Sequence, residues 1–181
     1  MAVVIIVLVL IIILAIIFFN QIVSEENMVK NAFSTVDVVL KKRYDIVPNL
    51  VEIVKKSFEH ESEVLEKVTS IRTEAMNTTD ANLAVETDNK FDSALKSVFV
   101  VAENYPDLKA SHNFLALQEE LLMIENELLA ARRTYNAAVT EYNTTIQSFP
   151  TNLVAKMMKR EPKKLFVVND EVRNAINLKI N

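Results

Sequence analysis

Two histidines, His60 and His112, are the only imidazoles in a chain of 181 residues that has no cysteine. A metal site would need further ligands at helical spacing. His60-Glu61-Ser62-Glu63 opens like a zinc-protease helix but has no second histidine four residues on, and no Glu-x-x-His pair exists to serve a di-iron bundle. Neither a metal nor a cofactor is therefore expected. Glycine is absent too, which excludes phosphate-cradling loops and dinucleotide fingerprints. Serines and threonines are scattered, with no elbow and no base at an interpretable position. An enzyme is not expected.

The chemistry that remains lies in polar residues on or beside apolar stripes, because an unpaired charge in a helical core is costly. Glu61 falls inside one such stripe. Gln118, Glu125 and Arg132 repeat every seven residues beside another, in the row that continues as Val139 and Ile146. Arg132 and Arg133 have no acid three or four residues away, so a partner on their own helix is not expected. Two readings follow. Arg132 pairs with Glu61 or another carboxylate across the core and sets register, which buried polar groups favour. Alternatively, Arg132, Arg133, Glu125 and Asn126 form a docking face. Tyr135-Asn136 and Tyr142-Asn143 also repeat at seven, and their rings read as core with hydroxyls bonded at its edge, ahead of a binding patch.

These residues need long helices to position them. Val29, Phe33, Val36 and Leu40 draw a stripe at spacings of four and three. Asp45 as a cap and Pro48 in the first turn predict a second helix from Ile46 to Met76, with the polar Ser57 and Glu61 in its stripe. Asn77-Thr78-Thr79-Asp80 ends it and caps a third helix over Ala81–Asn104, whose stripe includes Ala84, Asp88, Phe91 and Leu95. After Pro106-Asp107, a heptad pattern from Phe114 to Tyr142 predicts a long fourth helix ending near Ser148. A brief helix at Thr151–Lys159 and an extended stretch at Leu165–Val168 follow. Short connections make neighbouring helices antiparallel, so the expected fold is all-α, an up-and-down four-helix bundle over residues 20–168 with a polar tail at 169–181.

Ahead of the bundle, Ala2 to Phe19 is an unbroken apolar run, ~27 Å long as a helix, long enough to cross a bilayer. No Lys or Arg precedes Lys30, and Phe18-Phe19-Asn20-Gln21 is a poor cleavage site, so a single-pass anchor over residues 1–19 is preferred to a signal peptide. No breaker separates Asn20 from Tyr44, which predicts one rod from anchor into bundle. Lys30, Lys41, Lys42 and Arg43 bias the bundle toward the cytoplasmic side of the cell membrane. The net charge of −4, with acids and bases closely mixed, gives no sign of nucleic-acid binding.

Three segments resemble the LemA family: Lys42-Arg43-Tyr44-Asp45-Ile46-Val47-Pro48-Asn49-Leu50-Val51 with His60-Glu61; Tyr105-Pro106-Asp107-Leu108-Lys109-Ala110 with Phe114 and Leu117-Gln118; and Glu125-Asn126, Ala131-Arg132-Arg133, Tyr135-Asn136, Val139, Tyr142-Asn143 and Phe149-Pro150. The chain departs from the family pattern in lacking its glycines, with Ser57 in the second helix. The resemblance implies a four-helix up-and-down bundle on a membrane anchor, a prokaryotic setting and no established enzymatic activity. The function expected is a non-enzymatic membrane-tethered scaffold or adaptor. Its partners would be the lipid bilayer and an unidentified membrane or cytoplasmic protein, and a homo-oligomer would extend the role to organising a membrane complex. Competing expectations are a ligand- or lipid-sensing bundle and an accessory subunit of a membrane enzyme built around Glu61, Glu125 and Arg132.

Overall fold

The computed structural model describes residues 1–58 and 60–166, and among these the regular secondary structure is all helical, with no strand. Helix α1 (Ala2–Asp45) is a single 44-residue rod, ~66 Å long. No proline falls within it and no glycine exists to weaken it. Its first part stands clear of the other described residues. Residues 2–17 are exposed on every side, and the helix carries an 18-residue apolar window, none of it buried, that is long and apolar enough to cross a membrane. From Ile22 onward the same helix turns one face inward, burying Ile22, Val29, Val36, Leu40 and Tyr44. The predicted continuity of run and domain is therefore present as one helix.

The expected second helix is two helices, α2 (Val47–Lys55) and α3 (Ser62–Met76). The break falls where its stripe carries Ser57 and Glu61. Ser57 N and Phe58 N both donate to Val54 O, at 3.0 and 2.9 Å, which closes α2 with a tight turn. Phe58 then enters the core against the Tyr105 ring, 5.0 Å away. A polar stripe residue thus marks a chain reversal of the face, not a buried helix position. Asp45 does not cap α2 either; Ile46 is the N-cap, with no side-chain bond, and Asp45 instead lies 3.8 Å from Arg72.

Asp80 caps α4 (Ala81–Ala102), its Oδ1 accepting from Asn82 N at 2.9 Å and Leu83 N at 3.0 Å. A one-turn helix, α5 (Pro106–Lys109), leads to Ser111, whose hydroxyl caps α6 (His112–Gln147) by accepting from Phe114 N at 3.3 Å. Helix α7 (Thr151–Met157) follows. It closes with Arg160 N donating to Ala155 O at 3.0 Å around Lys159, at φ 53°. Glycine usually fills such a left-handed position. In a chain without glycine, a lysine does.

Helices α1 and α6 pack antiparallel: the Phe33 and Tyr135 rings are 5.9 Å apart, and further along Lys42 reaches Glu127 at 2.9 Å. Helices α3 and α4 do the same, with Glu61 meeting Tyr105 at one end and Glu74 meeting Lys90 at the other, at 2.7 and 2.9 Å. Between the two pairs lie fully buried Leu50, Phe91, Phe114, Ile124, Leu128 and Tyr135. The extended segment 161–166 then returns along α6. Asn143 Nδ2 donates to Lys163 O and its Oδ1 accepts from Lys163 N, both at 2.9 Å. Asn136 treats Phe166 alike, at 2.8 and 2.9 Å. Seven helical residues rise ~10.5 Å and three extended residues span ~10 Å, so two asparagines one heptad apart match every third residue of an extended strap. The predicted extended stretch reaches Val168, of which Val167 and Val168, like the tail 169–181, lie outside the described residues.

Candidate functional site

A cluster of five charged side chains sits where α1, α4 and α6 meet. Arg43 comes from the last turn of α1, Asp88 and Asp92 from successive turns of α4, and Glu125 and Arg132 from α6. Asp88, 1 % exposed, is at its centre, bonded by Arg43 Nη1 at 3.3 Å and by a close contact from Arg132 Nη2. Arg43, 5 % exposed, also reaches Asp92 at 2.5 Å and Glu125 at 3.1 Å. Arg132 lies 3.8 Å from Asp92 and 3.7 Å from Glu125. The two inner arginines are thus held by carboxylates whose outer members, Asp92 and Glu125, remain partly exposed.

Aromatic rings wall the cluster. The Arg43 guanidinium lies over the Phe91 ring at 5.1 Å and that of Arg132 over Phe166 at 5.7 Å. Tyr44 stacks edge-on against Phe91 at 4.9 Å. Burial pushes the Asp88 carboxyl up to about 6 even though Arg132 pulls the other way. Burial opposes the Arg43 charge too, but Asp92, Glu125 and Asp88 outweigh it and hold its pKa above the ordinary arginine value. Two permanent cations from α1 and α6, held by three carboxylates from α4 and α6, make an electrostatic lock between helices.

Of the cross-core partners expected for Arg132, Glu61 or another carboxylate, the structure has the second: Asp88 on α4. Glu61 lies at the α2–α3 break, accepting from Tyr105 Oη at 2.7 Å and from His60 N at 3.0 Å, and these bonds hold its carboxyl below the usual range. Arg132 also has an acidic neighbour on its own helix after all, Glu125, two turns back, beyond the three- and four-residue spacings. The proposed docking quartet is divided. Arg132 is buried and Glu125 half-buried in the cluster, while Arg133 and Asn126 are exposed. Gln118 is half-buried nearer the start of α6.

Tyr135 and Tyr142 are both core rings, and Tyr135 Oη donates to Lys164 O at 3.3 Å. Burial raises the Tyr135 hydroxyl to about 12. The ring of Phe166 meets Tyr135 edge-on at 5.2 Å, and Lys163 Nζ lies 5.5 Å above Tyr142. Asn136 and Asn143, adjoining these tyrosines, clamp the strap as described above. Arg43 and Asp88 carry the cluster and were not singled out from sequence. The signal was there: Arg43 is the next step of three after Leu40 on the first stripe, and Asp88 is a carboxylate inside the third. Among the described residues no group of His, Cys, Asp and Glu is arranged to hold a metal ion.

A family model described as the LemA family matches residues 32–180 of the chain. A curated protein named Protein LemA from Metamycoplasma hominis is 30% identical over 105 residues, which are 58% of this chain and 48% of that protein. The chain thus spans about half the length of this curated relative.

Proposed function

Because the chain belongs to the LemA family, we propose that it is a non-enzymatic membrane-tethered scaffold or adaptor, with residues 2–19 as a single-pass anchor and an antiparallel up-and-down four-helix bundle presented above the bilayer on the cytoplasmic side. The bundle's four members are α1 continued by α2, then α3, α4 and α6, with the end of α3 brought back to the start of α2 where Arg72 Nε donates to Tyr44 O at 2.8 Å. The observation that carries this is the unbroken α1, in which an exposed apolar segment and a core helix are one rod. A flexible linker would let a domain wander from its anchor. A continuous helix fixes its height and ties its long axis to that of the anchor, as a scaffold requires. The charged cluster serves register, with arginines from two helices gripping Asp88 on a third.

The partner surface we assign is the outward side of α6 around Asn126 and Arg133. Both are exposed, seven residues apart, and Leu122 beside them is 66% exposed. The test places a photo-crosslinking residue at Asn126 or Lys67 of the full-length protein in its native membrane. A discrete crosslinked partner from position 126, absent from 67 and lost on Arg133→Ala with the helical spectrum intact, is the expected result. Equal labelling from both positions, or release of the protein from membranes by salt alone, would remove this reading.

A further inference from the structure

The level of the bilayer can be located on the bundle from helix geometry. Phe33 of α1 lies beside Tyr135 of α6, and the two helices run antiparallel. Moving ~18 Å back along α1 and the same distance forward along α6, at ~1.5 Å per residue, sets Gln147 level with Gln21. The end of α6 therefore stands at the foot of the bundle, beside the end of the apolar run at Phe19. Helix α7 follows immediately and stays there: Arg160 Nη2, just past its end, lies 2.8 Å from Glu26 Oε2, two turns above Phe19.

Helix α7 has two sides. Thr151 and Ala155 are buried against the bundle. Leu153 and Met157, about 200° away around the helix, are 56% and 84% exposed, and Phe149 in the preceding turn is 80% exposed. Around this apolar side the charge reverses. Residues 152–165 hold five basic side chains and one acid, Glu161, in a chain whose net charge is −4. Lys156 and Lys159 are exposed. Apolar residues flanked by Lys156 and Lys159, presented at the end of the bundle where the spanning segment emerges, match an anionic lipid surface in both polarity and position.

We propose that α7 and the turn before it are a second membrane contact, in which Phe149, Leu153 and Met157 enter the headgroup region of a bilayer while Lys156 and Lys159 meet anionic lipid phosphates. The contact rests on the anchor reading of residues 2–19 for its position. Together the two contacts fix the azimuth of the bundle as well as its height, since a single spanning helix is free to rotate about its own axis.

The full-length chain has no cysteine, so single cysteines can carry an environment-sensitive fluorophore without background. Ile11→Cys reports the anchor, Met157→Cys reports α7 and Lys109→Cys reports the far end of the bundle, in vesicles of phosphatidylcholine alone or mixed with phosphatidylglycerol and containing lipid-borne quenchers. The expected result is quenching at 11 in both vesicles, quenching at 157 that depends on phosphatidylglycerol, and none at 109. Adding Lys156→Gln and Lys159→Gln should shift the contact equilibrium at 157 by roughly five-fold per lysine. A label at 157 as exposed to water as that at 109, with 11 quenched, overturns the contact and leaves the anchor. A label at 157 shielded from water yet unquenched means that protein covers the face, which also overturns it. Quenching at 157 without quenching at 11 keeps the surface contact and removes the anchor, and quenching at neither removes both.

Discussion

Asp88 sets the pH response of the charged cluster. Its folded-state pKa of about 6 is above the ordinary 3.8, so the folded chain holds this proton more tightly than the unfolded one. The contribution to stability is full below about 4 and is lost as the pH rises through 6. Urea unfolding across that window should show the wild type losing stability relative to Asp88→Asn, which has no proton to release; parallel profiles would contradict the assignment. Arg43 is the strongest single handle on the same cluster. Arg43→Ala strands Asp88, Asp92 and Glu125 with one remaining cation, and should cost about 3–5 kcal/mol at neutral pH and less at pH 5, where Asp88 takes up a proton. Arg133→Ala, on the exposed side, should stay within about 0.5 kcal/mol. Denaturant midpoints of the two variants separate these roles. The polarity of Arg132 was legible as a charge beside a seam, and the existence of a cross-helix partner followed from burial costs. Its identity was not, because which carboxylate faces it depends on the rotation of α4 about its own axis, and sequence spacing leaves that undetermined.

At the scale of elements, the clearest device is the strap at 161–166. Each asparagine amide of the Tyr-Asn repeat takes both backbone bonds of one strap residue, doing for an extended chain what a neighbouring strand would do. Asn143→Ala removes two bonds and should cost about 1–2 kcal/mol. Hydrogen exchange should show the loss at the Lys163 amide first, with α3 and α4 unaffected, because the strap is held locally. Uniform loss of protection throughout the bundle would mean that the strap belongs to the global core. Helices α4 and α6 and the rod α1 were readable from periodicity and caps, to within two residues at their ends. The break between α2 and α3 was not, since Ser57 and Glu61 at stripe positions look alike whether a helix tolerates them or stops at them. The strap asparagines were seen as a repeat, but their partner is backbone, and backbone carries no side-chain pattern to read.

The whole molecule is an α-helical body built onto a rod that it does not contain. About a third of α1 lies outside the body and the rest is one of its walls, so the two cannot be decoupled by any loop. On the proposed anchoring, this links the protein to a property of the membrane itself. The apolar run gives ~27 Å of hydrophobic length, a little under the ~30 Å hydrocarbon core of a typical bilayer. A helix shorter than its bilayer stands upright or thins the lipid around it, whereas one longer than its bilayer tilts. With no hinge between run and bundle, every degree of tilt in the membrane becomes the same degree of lean in the domain, and a thicker bilayer draws Ile22, Glu25 and the foot of the bundle toward the headgroups. Oriented infrared spectra of the full-length chain should show the α1 axis nearer the membrane normal as lipid acyl chains lengthen. The stiffness of one uninterrupted helix thereby makes acyl-chain length a mechanical input to the posture of a domain outside the membrane.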